Sequence, residues 1–380
     1  MGYLFHDSPA TPRRSRVGFL LLFPLALAVG TRSEAIAETA AHELRPGDRV
    51  MTLESGTRLK VESEVTATLS AGSVFRVERV KGKWVWIDSG NVRGWVKAEA
   101  LVPFESAVAE LSQKLAEKPD DARLHIARGL ARLASREYEG AEADFSAALE
   151  RDPDSTWAYH NRAVSRYMLG RLDAAQADAD EAVRREPDDP SHRATRASIL
   201  YARKDFVAAT EAYGEALGRL KGKEAYLDDS GAEGEPGRAR GRLCSAKWTC
   251  ARAECWLARN RPEKALADYE TALKLDAKDF ATFNSLSWLL ATHPESLYRN
   301  ARRALELATK ACELTDFNNH LALDTLAAAC AEAGDFASAA RWQTRAIQIA
   351  DGDRSVTDNY YARLRRYLAR TAYHEEALTP

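Results

Sequence analysis

"GLARLASREYEGAEADFSAALERDP", residues 129–153, decides the fold. It places small residues and one aromatic at Gly129, Ala141, Phe145 and Ala148, then Pro153, and the same offsets return one period later as Ala163, Ala175, Ala179, Ala182 and Pro187. A second period on they become Ala197, Ala209, Tyr213 and Ala216. Self-similarity at a fixed period of about 34 residues signals stacked helix pairs. The small residues let two antiparallel helices cross closely, the aromatic fills the gap beside them, and the proline stops the second helix.

Toward the C-terminus the period is interrupted by "KGKEAYLDDSGAEGEPGRARG", and residues 221–243 read as a loop or helix extension. The pattern resumes over 244–352, first with Ala253, Trp256, Ala265, Tyr269 and Ala272. The next copy is stretched by an insertion around "HPESL", where Pro294 must break the first helix, and the last is clean, with Leu323, Ala327, Gly334, Phe336, Ala339 and Ala346. Residues 353–374 carry Tyr360, Leu364, Tyr367 and Leu368 at helical spacing and read as the cap that covers the last apolar face. Across residues 107–374 the chain resembles the tetratricopeptide-repeat family. The resemblance implies a right-handed superhelix of about six helix pairs, with repeats one to three over 107–220 and four to six over 244–352.

The N-terminal side differs. Residues 45–104 hold short runs rich in Val, Leu, Phe and Trp, such as 74–80 and 84–87, separated by Gly, Ser, Asp and Asn, which is the pattern of a small all-β domain. In a strand Trp84 and Trp86 share one face and Val85 and Ile87 the other, so one pair belongs inside; Trp95 is expected in the core, because a domain this small needs bulky residues there. Gly47-Asp48-x-Val50, Leu59-x-Val61, Gly72-x-Val74, Trp84-x-Trp86 and Gly94-Trp95-Val96 resemble the bacterial Src-homology-3-like domain, a small barrel. That resemblance implies a groove that binds cell-wall peptide in some members, with Trp84 or Trp86 lining it. The expected fold is therefore multidomain: a small all-β barrel followed by an all-α superhelix.

Before it, Arg13, Arg14 and Arg16 precede the apolar run "VGFLLLFPLALAVG", and Ala26-Leu27-Ala28 and Ala35-Ile36-Ala37 offer small-residue cleavage sites. Residues 1–37 read as a secretory signal, or as an N-terminal membrane anchor if uncleaved; either way the rest of the chain is expected outside the cytoplasm, periplasmic or extracellular. A net charge of −2 gives no basic footprint for nucleic acid. The five cysteines, Cys244, Cys250, Cys255, Cys312 and Cys330, show no C-x-x-C spacing and read as small apolar fillers rather than zinc ligands.

The family resemblance places ligands on the concave face, along the first helix of each repeat. Trp157, His160, Asn161, Val164 and Tyr167 fall there on the second copy, and Tyr201 on the third. An aromatic stripe with an imidazole suits an extended peptide or a protein segment. The family's clamp for a C-terminal carboxylate is excluded: Asn161 matches it, but Ile126, Leu130, Ser191 and Thr195 stand where its other polar or basic residues should be. No nucleophile, P-loop, dinucleotide or zinc-protease motif occurs, no metal or cofactor is expected, and acidic pairs such as Asp178 and Asp180 read as a solvated outer face, as does His374-Glu375-Glu376. The sequence thus reads as a non-catalytic binding scaffold, or alternatively as a peptidoglycan binder with the repeats as spacer.

Overall fold

The computed structural model of the chain describes residues 44–53, 56–61, 64–69, 72–88, 92–220, 235–350 and 354–376. The stretch read as an export signal lies outside them, as do residues 221–234 of the interruption. The described residues fall into two compact units, one of residues 44–203, 215–220 and 235–242, the other of residues 204–214, 243–350 and 354–376.

The first unit opens with seven strands: β1 (Arg49–Thr52), β2 (Thr57–Val61), β3 (Glu64–Leu69), β4 (Val74–Lys81), β5 (Trp84–Asp88), β6 (Arg93–Lys97) and β7 (Leu101–Pro103). They pair antiparallel in the order β3-β2-β6-β5-β4-β1-β7. Val50, Leu59, Val77, Val85, Ile87 and Val96 fill the interior. Because Val85 stands opposite Val96 and Trp86 opposite Trp95, the alternation sends the valines inward and the tryptophans outward. This corrects the placement of Trp95 in the core: Val96 takes the interior position and Trp95 shares the outer face with Trp86.

A second cluster joins the sheet to the helices. Met51 and Val102 pack with Ala107 and Leu111 of α1 (Ala107–Glu117) and with Ala127 and Ala131 of α2 (Ala122–Ala134). Gly72, at φ +75°, turns so close to α2 that a Cβ there would stand 2.6 Å from Leu130 Cδ1. The first complete helix pair is α2 with α3 (Tyr138–Arg151), so the pairs begin at 122 rather than 107. Residues 107–117 hold the phase of a second helix: Ser112 meets Arg128 as Ser146, one period on, meets Arg162. Among the described residues no α-helix precedes α1, and it is Met51 and Val102 of the sheet that pack against it.

The pair α4 (Thr156–Met168) with α5 (Leu172–Arg185) follows, then α6 (Pro190–Ala202), which packs on α5, and next in the chain α7 (Phe206–Leu220), whose residues are divided between the two units. Asp121, Ser155 and Asp189 cap α2, α4 and α6 by accepting from the backbone of the first turn, at the same position in each repeat. Arg136, Gly170 and Lys204 take positive φ between the helices of each pair at the same spacing. Gly129 sits under the Phe145 ring, and Ala141 and Ala148 are fully buried, as the close crossing requires.

The second unit is built of α8 (Glu235–Ala258), α9 (Pro262–Leu275), α10 (Phe280–Thr292), α11 (Ala301–Glu313), α12 (His320–Glu332), α13 (Phe336–Ile349) and α14 (Arg354–Leu368), the first residues of α8 lying in the other unit. Helix α10 ends at Thr292, just before Pro294, and a short 3-10 turn over Ser296–Tyr298 holds the inserted residues. Tyr269, Leu286, Leu307, Leu323, Tyr360 and Tyr367 share one core with Cys312 and Cys330. All five cysteines are free thiols, and burial pushes Cys312 up to about 12 and Cys330 to about 11.

Helix α14 is fixed by a buried charge pair. Arg363 Nε donates to Asp324 Oδ1 at 2.7 Å, and Gln343 Nε2 donates to the same oxygen at 2.9 Å. The chain after α14 then returns to α10. Trp288 Nε1 donates to Glu375 Oε1 at 2.9 Å, Glu375 N donates to Thr292 O at 2.8 Å, and His374 Nε2 lies 2.7 Å from Glu332 Oε2. The tail His374-Glu375-Glu376 is therefore docked at its first two residues, not a solvated terminus.

Candidate functional site

Ser155 starts α4 and so fixes which residues face its neighbours. Trp157 is half-buried and stacks on His160, with ring centroids 6.1 Å apart and planes 17° apart. His160 Nδ1 lies 3.0 Å from His192 Nδ1 on α6. Burial, then the neighbouring His192, push the His160 imidazole down to about 3, so it is neutral over the physiological range. Asn161 is buried and donates from Nδ2 to Trp157 O at 2.7 Å, which occupies its amide within the helix.

The structure separates the remaining stripe residues. Val164 packs with Leu130, Leu133, Ala141 and Phe145, and Tyr167 packs with Ala163, Ala175, Ala179 and Ile199; each is 2% exposed. Both are interior residues, which corrects their assignment to a ligand-facing row. Tyr201 is half-buried and repeats the phase of Tyr167, not of Trp157. Ser191 holds the Trp157 phase, so Tyr201 stands ten residues further along α6, about 15 Å on the helix axis. Trp157 and Tyr201 are thus half-buried aromatics at different phases of α4 and α6, with Val164 and Tyr167 buried.

Between the helices runs a polar ladder that sequence reasoning missed. Arg128 grips Asp144 through Nε and Nη2 at 3.1 and 2.7 Å and reaches Ser112 through Nη1 at 3.0 Å. One period on, Arg162 grips Asp178 at 2.8 Å through both nitrogens and reaches Ser146 at 3.2 Å. In the third copy the acid changes sides: Ala212 replaces the aspartate, Asp180 stands at the serine position, and Arg196 Nε pairs with it at 2.7 Å. Arg252 grips Asp268 through Nε and Nη2 in the same way in the second unit, where Pro236 stands at the serine position in the sequence. Asp178, 4% exposed, is thus a buried ladder acid and not part of a solvated face, whereas Asp180 stays exposed while it pairs with Arg196. Such pairs fix helix register more than they add net stability, since desolvation offsets much of their attraction.

On the sheet, Trp86 and Trp95 meet edge to face at 5.4 Å, and the Arg79 guanidinium lies 4.8 Å from the Trp86 ring. Trp84 opens on a shallow pocket of about 280 Å³ whose other lining residues include Thr57, Arg58, Lys60 and Lys97. Trp84 and Trp86 therefore do not share one pocket: the first faces basic side chains, the second is covered by Arg79.

The helix pairs, their evenly spaced caps and their ladder define a repeat solenoid of the tetratricopeptide kind. Two family models described as tetratricopeptide repeat match residues 132–199 and 104–156, and residues 104–199 contain these repeats. The second match begins at the half repeat. No curated protein matches the chain. Among solved structures the chain is similar to the APC/C hetero-tetramer Cut9-Hcn1, at 14% identity and a TM-score of 0.52, over 68% of this chain and 45% of that one. It is similar as well to pilF of Pseudomonas aeruginosa, at 17% identity, a TM-score of 0.49, and 65% and 98% coverage of this chain and that one. YrrB, described as a TPR protein with an unusual peptide-binding site, gives 16% identity, a TM-score of 0.39, and 57% and 97% coverage. At such identities the likeness to the first concerns the fold alone.

Proposed function

We propose that the protein is an exported, non-catalytic scaffold that holds an extended protein segment or peptide along the first helices of its repeats. The observation that carries this reading is the pair of half-buried aromatics, Trp157 and Tyr201, set about 15 Å apart along the helix axis on adjacent repeats. About five extended residues span that distance. Aromatic anchors of this kind dominate binding where they fill desolvated pockets, and the repeat architecture supplies the concave support. The basic and apolar start of the chain supports the exported setting, with residues 1–37 removed as a signal or kept as an anchor.

Trp157→Ala with Tyr201→Ala tests the groove in the full protein. Peptide binding is expected to fall by at least about tenfold for each anchor lost, with the helical circular dichroism unchanged. Unaltered binding would assign both aromatics to packing.

A second reading has its own observation. The Trp84 pocket with Arg58, Lys60 and Lys97 suits a short acidic peptide such as a cell-wall stem, bound by a Src-homology-3-like domain. Its test is co-sedimentation with insoluble peptidoglycan, comparing the protein with Trp84→Ala. Point variants are preferable to fragments here, because a cut after residue 106 would divide the cluster of Met51, Val102, Ala107 and Leu111.

A further inference from the structure

His192 stands in the first turn of α6 and is 1% exposed. One ring nitrogen, Nδ1, faces His160; the other, Nε2, is buried without a hydrogen-bond partner. It is aimed at two carboxylates, 3.6 Å from Glu186 Oε2 and 3.8 Å from Asp189 Oδ2. Those separations are too long for hydrogen bonds. They are close to the roughly 3.4 Å between two ligands of a tetrahedral ion held at about 2.1 Å. The ligand atoms of all three residues lie within 4.8 Å of one another. We propose that Glu186, Asp189 and His192 form a binding site for a divalent transition-metal ion of the zinc type.

The local backbone explains the convergence. Glu186 closes α5, its N–H donating to Ala182 O, and Asp189 caps α6. The cap uses only Oδ1, which accepts from Ser191 N at 2.7 Å and Ser191 Oγ at 2.6 Å, and leaves Oδ2 for the ion. Pro187 and Pro190 restrict the turn that carries both acids. The side chains of Glu186 and Asp189 are 57% and 34% exposed, so an ion enters from solvent while the imidazole forms the floor.

The donor set selects the ion class. One imidazole and two carboxylates suit zinc, whereas calcium and magnesium seek oxygen-only shells of six or more ligands. Three protein ligands leave a fourth position for water or an outside group. His160 supplies the second layer: when His192 Nδ1–H donates to His160 Nδ1, the lone pair of His192 Nε2 is free for the ion. The opposite tautomer, with His160 Nδ1–H donating and a proton on His192 Nε2, turns an N–H toward the carboxylates instead. Going from this opposite tautomer to the ion-binding one transfers the shared proton from His160 Nδ1 to His192 Nδ1 and one proton from His192 Nε2, by way of solvent, to His160 Nε2, with no change in net charge. Metal binding therefore selects a tautomer of the pair on which Trp157 stacks, and it orders the turn between α5 and α6.

The test uses purified protein without a histidine tag, stripped with a chelator and titrated with Zn²⁺ by calorimetry and with Co²⁺ by visible absorption. The expected result is one saturable equivalent, with the intense bands of tetrahedral Co²⁺. Glu186→Gln, on an exposed side chain, and Asp189→Asn, which keeps the cap, are each expected to weaken binding at least about tenfold, and His160→Phe by about 10–100-fold. Circular dichroism confirms that each variant is folded. Absence of a saturable equivalent in the unmodified protein overturns the proposal, and so does unchanged affinity in both carboxylate variants.

Discussion

Replacing Arg363 by Met removes the cation that holds α14 and leaves Asp324 in the protein interior. Asp324 is 0% and Arg363 3% exposed, and the Arg363 guanidinium carbon lies 5.1–5.6 Å from the rings of Trp288, Tyr360 and Tyr373. Gln343 continues to donate to the carboxylate, but an amide does not balance the charge. Breaking a buried pair from one side costs about 3–5 kcal/mol, because the remaining charge keeps its desolvation penalty. For a unit of this size each kcal/mol moves Tm by about 2–4 °C, so a fall of roughly 6–20 °C is expected in the melting of the second unit. Near-ultraviolet circular dichroism follows it, since Trp288 and Tyr373 sit beside the lost side chain. Arg363→Met combined with Asp324→Leu should recover much of the loss, as neither charge then remains buried. Arg302→Ala breaks a pair between side chains 92% and 52% exposed and serves as the control, with a cost under about 1 kcal/mol. A shift for Arg363→Met no larger than that control would refute the reasoning.

The His160 imidazole, held down to about 3 by burial and by His192, stays neutral in the folded chain while the unfolded chain takes up a proton near pH 6.5. The unfolded state then binds more protons, so stability is full above pH 6.5 and falls as pH drops toward 3; about 2 kcal/mol should be lost between pH 7 and pH 5 in chelator-treated protein. Urea midpoints at the two pH values check this, and His160→Phe should remove that contribution. Gly129→Val would drive a side chain into Phe145, whose Cε1 lies 2.8 Å from the Cβ position, and should cost about 2 kcal/mol or more, measured by urea unfolding. Gly218→Ala, with nothing within 4 Å and no positive φ, should instead stabilise by about 0.5–1 kcal/mol in the same assay. At pH 8 a thiol reagent should modify only the half-buried Cys244 readily in the native protein, while Cys250, Cys255, Cys312 and Cys330 react after denaturation; fast labelling of Cys312 would contradict its burial.

What the sequence revealed of the fold follows from what leaves a local imprint. Close helix crossings need small residues such as Gly129, Ala141 and Ala148 at fixed offsets, so the period could be read directly. The ladder has the same period, through Arg128 and Arg162 and through Asp144 and Asp178. An aspartate on a helix, however, looks the same whether it faces solvent or a buried guanidinium. The outward turn of Trp95 depends on its register against Trp86, which no residue within β6 encodes. Val164 and Tyr167 were misplaced because groove and interior differ by a modest rotation about the helix axis. The half repeat was hidden because its partner is a sheet with no helical period. The docking of Glu375 on Trp288 joins residues 87 apart and has no sequence signature. Glu186, Asp189 and His192 meet through a helix cap, and their spacing matches no metal-binding motif that the sequence alone would reveal.

The claim that the repeats hold an extended segment between Trp157 and Tyr201 is tested most directly by panning a random peptide library on the immobilised protein beside the folded Trp157→Ala, Tyr201→Ala variant. The account predicts that the unmodified protein enriches a family of peptides with apolar residues about five positions apart and that the variant loses them. Failure of the unmodified protein to enrich any sequence, or equal enrichment by the variant, would contradict it.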